Sequence, residues 1–298
     1  MDRKDFLKLM ALLPLSGAAM KLNELNKLTE NLAATDKMPV LFIGHGNPMN
    51  ALNDNEFVTG WKTMAKNLPK PKAILCISAH WETNGTFVTA MKSPRTIHDF
   101  GGFPNELFET KYPAPGSPEF ALETKNTIKK TTVGLDEKWG LDHGTWSILK
   151  PMFPNADIPV FQLSLDYNQP PQYHYELAKE LASLRKKGVL IIGSGNMVHN
   201  LGMVKANSMA EIDKEYGFDW ALEMNNIFKT KILAQDHRAL INYESLSKSA
   251  KLAIPTREHY LPLLYTLALQ EKNETPQFFN DKAIAGSLTM TSVLLSSS

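Results

Sequence analysis

The chain carries one cysteine, Cys76, in 298 residues. That excludes an internal disulfide and any cysteine-built zinc module, and it leaves the redox compartment open. No apolar run reaches the about 20 residues that a membrane-spanning helix needs. The longest candidate, LMALLPLSGAAM at residues 9–20, stops at twelve. Charge of one sign is also missing: 32 basic and 31 acidic side chains leave a net +1. No bulk attraction to nucleic acid or to an anionic membrane follows from such a balance. Several catalytic signatures are absent as well. The GSGN turn at residues 193–196 has Val198 where a dinucleotide-binding loop needs its third glycine. There is no Walker sequence, no G-x-S-x-G elbow, no HExxH and no CxxC. Repeats and low-complexity tracts are missing too, apart from a terminal run of three serines.

What is present reads as a folded α/β protein. Hydrophobic residues make up 43% and charged residues 21% of the chain, which suits a packed core and not a disordered chain. The first 38 residues differ in kind from the rest. A basic start, MDRKDFLK, precedes the short apolar run and a group of small residues, the layout of an export signal. Its RKDFLK order is that of a twin-arginine signal with Lys4 in place of the second arginine. Cytoplasmic retention is the favoured expectation, with periplasmic export as its alternative. Residues 21–37 read as a polar linker into a single domain spanning 39–298.

Within that domain, short apolar runs bounded by turn signals stand at residues 40–43, 73–78, 86–90, 158–165 and 189–192. Runs of this length suit buried, mostly parallel strands. Helix-length segments at 56–67, 118–130, 172–187 and 220–234 lie between or after them. Met and aromatic residues at 218–228 fit helix packing against a core. Alternation of this kind predicts one layered domain with a central, mostly parallel sheet flanked by helices.

Histidine is the residue that carries chemistry. Of eight, His45, His80 and His199 follow strand-like runs at once or after a short turn. Ligands in open α/β sheets bind at the carboxyl ends of strands, so these three are expected to converge there. Neutral imidazole is the commonest metal ligand and also an acid or base near neutral pH. Gly44 and Gly46 flank His45 and permit close approach. His98 and Asp99 open a glycine-rich loop, His143 precedes Gly144, and His259 follows Arg257 and Glu258 at the start of an apolar, helix-like run. His174 and His237 lie in polar helical contexts and are expected on solvated faces.

Seven motifs, taken together, carry a resemblance. They are GHGNPMN at 44–50, SAHW at 78–81, TIHDFGGFP at 96–104, YPAPGSP at 112–118, DHGTW at 142–146, SGNMVHNL at 194–201 and EHYLPLLY at 258–265. In this order they resemble the DOPA 4,5-dioxygenase extradiol family, within the class III extradiol ring-cleavage dioxygenases. The likeness runs from about residue 39 to 294. It implies a mononuclear divalent metal at the strand ends, iron(II) for dioxygenase activity or zinc(II) as bound. By motif, His45 and His80 correspond to the first two ligands, and His259 lies where the superfamily supplies its third. That ligand is usually a glutamate, so Glu258 and His259 are both candidates. His199 corresponds to the superfamily's acid–base histidine and is a further candidate ligand. His143 corresponds to a substrate-pocket histidine that assists as the O–O bond breaks. Arg257 and His98 are candidates for the substrate side chain. The partners implied are a small catechol such as DOPA and O2. Two alternatives belong to other classes: a zinc hydrolase on the same scaffold, and a non-catalytic binding module.

Overall fold

A computed structural model describes residues 37–208 and 211–297. Residues 1–36 of the signal-like segment and linker at 1–38 lie outside these residues. Six strands form the central sheet: β1 (Val40–Gly44), β2 (Ala73–Ser78), β3 (Val160–Gln162), β4 (Val189–Gly195), β5 (Glu274–Phe279) and β6 (Ser292–Ser297). Their order is β3-β2-β4-β1-β6-β5. The first four run parallel, and β6 is antiparallel to both its neighbours. Both faces of the inner strands are covered, and β1, β2 and β4 are buried at every position. This is why they read as unbroken apolar runs without alternation.

The main helices are α1 (Glu56–Asn67), α2 (Pro118–Thr127), α3 (His143–Met152), α4 (Pro171–Lys179), α5 (Asp219–Leu233) and α6 (Leu261–Ala268). Side-chain caps start three of them. Asn55, Ser117 and Asp142 accept the amides of Val58, Phe120 and Thr145, each satisfying one of the free N–H groups of a first turn. Helix α6 packs on β4 and β1 and against α4. Helices α1 and α3 pack together around Phe57, Trp61, Trp146 and Leu149, in one core with Leu41, Ile43, Ile74 and Ile192. Among the described residues no helix is long and apolar enough to cross a membrane.

The fold expected from sequence is observed, with local differences. The segment expected as one helix at 172–187 breaks after Lys179 and resumes as a single turn, Ala182–Arg185. At the break the amides of Glu180 and Leu181 turn to carbonyls three residues back, which tightens the spiral. Residues 86–89 form a strand, but outside the main sheet, paired in parallel with Val133–Asp136. The run at 158–165 divides between β3 and a two-residue strand, Leu165–Asp166, that pairs with Glu82–Thr83. The β5–β6 edge was not legible as strand.

At the amino ends of the parallel strands a buried ion pair fastens the chain. Arg185 donates to Glu274, and also through Nε to the Met38 carbonyl (2.8 Å) and through Nη1 to the Leu269 carbonyl (2.7 Å). Glu274 accepts in addition from the Glu271 amide and from Lys37, each at 2.9 Å. Every strong hydrogen-bonding group of this pair is engaged, as burial of charge requires.

Candidate metal centre and active site

Register brings the site together. Gly44 pairs with Gly195 and Ser78 with Ser194, so β1, β2 and β4 end level and the residues beyond them share one crevice. His45 leaves β1 directly, and its amide donates to the Gly195 carbonyl (3.0 Å). His80 follows β2 after one residue. His199 follows β4, held by its amide on the Ala253 carbonyl (2.9 Å). His143 is the first residue of α3. His259 precedes α6, and its carbonyl accepts the Asn196 amide (2.9 Å). Gly195 is required here, because a Cβ would overlap that same His259 carbonyl.

Five imidazoles converge. The His45 ring lies 5.0 Å from that of His80, 5.2 Å from His259 and 5.8 Å from His143. His80 and His143 are 3.8 Å apart, and His80 and His259 are 5.0 Å apart. Two donor groups are close enough for a metal ion: His45, His80 and His143, and His199, Glu258 and His259. His143, expected from sequence in the substrate pocket, thus also borders the donor set.

Hydrogen-bond partners fix which nitrogen of each ring points inward. The Ser194 hydroxyl donates to the Gly144 carbonyl, so it can only accept from His45, whose Nδ1 lies 3.0 Å away. His45 therefore carries its proton on Nδ1, and its bare Nε2 faces His80 Nε2 at 3.2 Å. Asp99 stands behind two rings, with Oδ2 3.4 Å from His80 Nδ1 and Oδ1 3.0 Å from His143 Nδ1. Glu258 Oε1 lies 3.1 Å from His259 Nδ1 and also accepts from Thr256 Oγ1 (2.8 Å). Acceptors at Nδ1 that leave Nε2 free are the usual support for a histidine metal ligand. The His45 and His80 Nε2 atoms meet 3.2 Å apart within a cluster of buried imidazole and carboxylate donors, so the residues fit a metal ion.

Burial reinforces this. It pushes the His45 and His259 imidazoles well below their ordinary value, and neighbouring imidazoles push the same way. Burial, then His143, brings His80 down to about 3. Burial likewise brings His199 to about 4, against the opposing charge of Glu258. All four are neutral near pH 7 and offer lone pairs. Burial acts against the Asp99 carboxylate, but its bonds and charge contacts with His143 and His80 keep it below the usual range.

His199 stands apart geometrically. Its ring lies parallel to that of His259, 3.5 Å away with 6° between planes.

The other expected site residues sit around this core. His98 donates through Nε2 to the Thr110 carbonyl (2.9 Å), in an aromatic box with Phe100, Phe108 and Trp146. Phe100 in turn meets His143 edge-on, 5.5 Å between centroids. Arg257 donates through Nη2 to the Tyr167 carbonyl. His174 is not on a solvated face as expected: it is fully buried, with Nδ1 3.0 Å from the Tyr265 hydroxyl. His237 is half-buried between Tyr175 and Gln270. Asp99, Ser194 and Asp142 received no role from sequence. Asp142 is buried, caps α3, and accepts from Ser78 (2.7 Å) and Gln162 (2.6 Å). Burial and the nearby Asp99 raise its carboxyl. A histidine followed by aspartate at the head of a glycine-rich loop was the available signal for Asp99.

A layered α/β domain with a crevice of buried histidine donors at its strand ends defines a metallo-enzyme type of site. Residues 38–290 match the family described as the catalytic LigB subunit of aromatic ring-opening dioxygenase. The chain is 43% identical over 266 residues to a 4,5-DOPA dioxygenase extradiol of Escherichia coli (strain K12), covering 88% of this chain and 96% of that protein. It is 37% identical to a 4,5-DOPA dioxygenase extradiol of Beta vulgaris, covering 80% of this chain and 90% of the other. The crystal structure of an uncharacterized Escherichia coli K12 protein superposes with a TM-score of 0.76 at 39% identity, covering 87% of this chain and all of that one. This chain belongs to the LigB family of ring-opening dioxygenases.

Proposed function

We propose that the enzyme opens the ring of a catechol beside its diol, by 4,5-cleavage of DOPA or a close relative, with His45, His80 and His259 holding iron(II). The observation that supports this most is the convergence of three buried rings at the strand ends, with Ser194, Asp99 and Glu258 standing on the Nδ1 sides of His45, His80 and His259. Bound iron(II) would supply Lewis acidity to the diol and electron relay to O2. Both oxygen atoms end in the product, so no external reductant is consumed.

The protein's own residues then do the following. Glu258 backs His259 and so serves as its support in place of a ligand. His199 is assigned the proton-transfer role, its ring stacked face to face on that of His259, which would be the ligand. Its neutral imidazole accepts the second hydroxyl proton of the diol. His143, at the amino end of α3, lies 3.8 Å from His80 and flanks the reacting oxygen atoms. Phe100 offers an aromatic edge to the substrate ring. Arg257 and His98 lie towards the substrate side chain, Arg257 for a carboxylate.

The test is anaerobic reconstitution with iron(II) and, in parallel, zinc(II), followed by DOPA and air. Oxygen uptake with a visible ring-opened product in the iron sample alone is expected. Tight zinc retention with no oxygen uptake on a panel of catechols would overturn the reading in favour of metal-assisted hydrolysis, which a three-histidine site with zinc also suits.

A further inference from the structure

We propose that Ser78 and Ser194 are a pair of positioning residues that clamp the head of α3 to the strand ends, and so set how His45 and His80 stand relative to His143. This role rests on the reading of His45 and His80 as metal ligands. The two serines are paired in the β2–β4 ladder, and both are fully buried. Each hydroxyl makes two bonds. Ser78 Oγ donates to Asp142 Oδ1 (2.7 Å) and accepts the His80 amide (3.2 Å). Ser194 Oγ donates to the Gly144 carbonyl and pairs with His45 Nδ1 (3.0 Å). Each serine therefore joins one candidate ligand to the first turn of α3. His143 sits between the two points of attachment, Asp142 and Gly144.

The joint is closely fitted. A Cβ on Gly144 would sit 2.4 Å from Ser78 Oγ and 2.8 Å from His80 Cδ2, so the helix comes this near only because that position has no side chain. Asp142 is also held from its far side, on β3. Its Oδ2 accepts from Gln162 Nε2 (2.6 Å) and from Trp139 Nε1 (3.4 Å), and its amide donates to Gln162 Oε1 (3.1 Å). Three neighbouring strands thus grip one helical turn. A functional constellation needs its groups held to within about 0.5 Å, and this grip supplies that for rings that come from three separate segments.

A plain structural role is separable from this one. Asp142 caps α3 through the Thr145 amide (3.1 Å) and keeps its bonds to Gln162 whether or not Ser78 carries a hydroxyl. Ser78→Ala therefore leaves the helix start intact and removes only the tie to β2 and the acceptor of the His80 amide. Ser194→Ala likewise leaves the backbone pairing of β4 in place and removes the tie to Gly144 and the partner of His45.

The test is cobalt(II) titrated into the metal-free protein and followed by its visible absorption, which reports the geometry of the donors around the ion. Zinc(II) affinity by chelator competition and urea unfolding accompany it. Ser78→Ala and Ser194→Ala are each expected to change the cobalt bands and to lower zinc affinity about 10- to 100-fold. Gly144→Ala wedges the same joint from the helix side and is expected to do the same, so it decides the matter if a serine variant fails to fold. Unchanged bands or unchanged zinc affinity in either serine variant overturns the proposal, and a fallen urea midpoint alone would mark a purely structural role. Unchanged cobalt bands in His45→Ala and His80→Ala would overturn the ligand reading and the clamp with it. Altered bands in those two beside unchanged bands in the serine variants would overturn the clamp alone.

Discussion

The two ends of the parallel strands bury polar groups in opposite ways. At the amino ends, Arg185 and Glu274 compensate each other, and backbone groups and Lys37 take up what remains. At the carboxyl ends, buried imidazoles of one kind face each other, and each lowers its neighbours' proton affinity. Asp99 and Glu258 bring negative charge to them. A closed polar network completes itself, whereas an open donor set is completed by something bound. The comparison teaches where stability and where function are placed along the same strands.

Substitutions at the two ends should therefore fail differently. His45→Ala is expected to abolish metal retention and turnover while the metal-free protein keeps its fold, checked by metal analysis and circular dichroism. Retained metal would erase the contrast between the ends. His199→Gln is expected to lower turnover about 10²- to 10⁴-fold, the usual worth of a proton-transfer group, with metal content kept. A lost metal would return His199 to the ligands. Arg185→Ala leaves Glu274 buried with one partner fewer and should cost about 3–5 kcal/mol in denaturant unfolding, with zinc stoichiometry unchanged.

The smallest effect sharpens the comparison with a buried histidine outside the site. Burial, and then the charge of Arg257, hold His174 at about 4, against about 6.5 in the unfolded chain. Between those values the unfolded state binds a proton that the folded state does not. The contribution of His174 is thus complete above pH about 6.5 and is lost as pH falls towards about 4, on the order of 3 kcal/mol in all. His174→Gln should flatten the pH dependence of urea unfolding in that window. The metal-free site adds a slope of the same sign through His80 and His199.

Much of this was legible in the sequence, and the rest fails for physical reasons. The runs at 40–43, 73–78 and 189–192 were readable because strands covered on both faces are uniformly apolar, and their ends located His45, His80 and His199. The last two strands of the chain were not. Glu274–Phe279 alternates buried and exposed positions and contains Pro276, while Ser292–Ser297 begins and ends in serine. His174 was misplaced because its neighbours are polar. Yet His174, Leu177 and Ala178 are the buried residues of α4, a spacing of three and four that marks one helical face. The supports of the donor set were out of reach. Ser194 meets His45 across 149 positions of sequence, and Asp99 meets His143 across 44. Nothing local to either residue announces such a contact.

The bond from the Asn196 amide to the His259 carbonyl has a practical consequence. Asn196 is buried, and its amide is released only when the end of β4 parts from the segment that carries His259. Its hydrogen exchange with solvent therefore times the opening of the crevice itself, residue by residue and without any substrate. An ion held by His259 together with His45 and His80 would tether the segment that carries His259 and slow that one amide more than amides at the Arg185 end, which makes it a built-in gauge of occupancy.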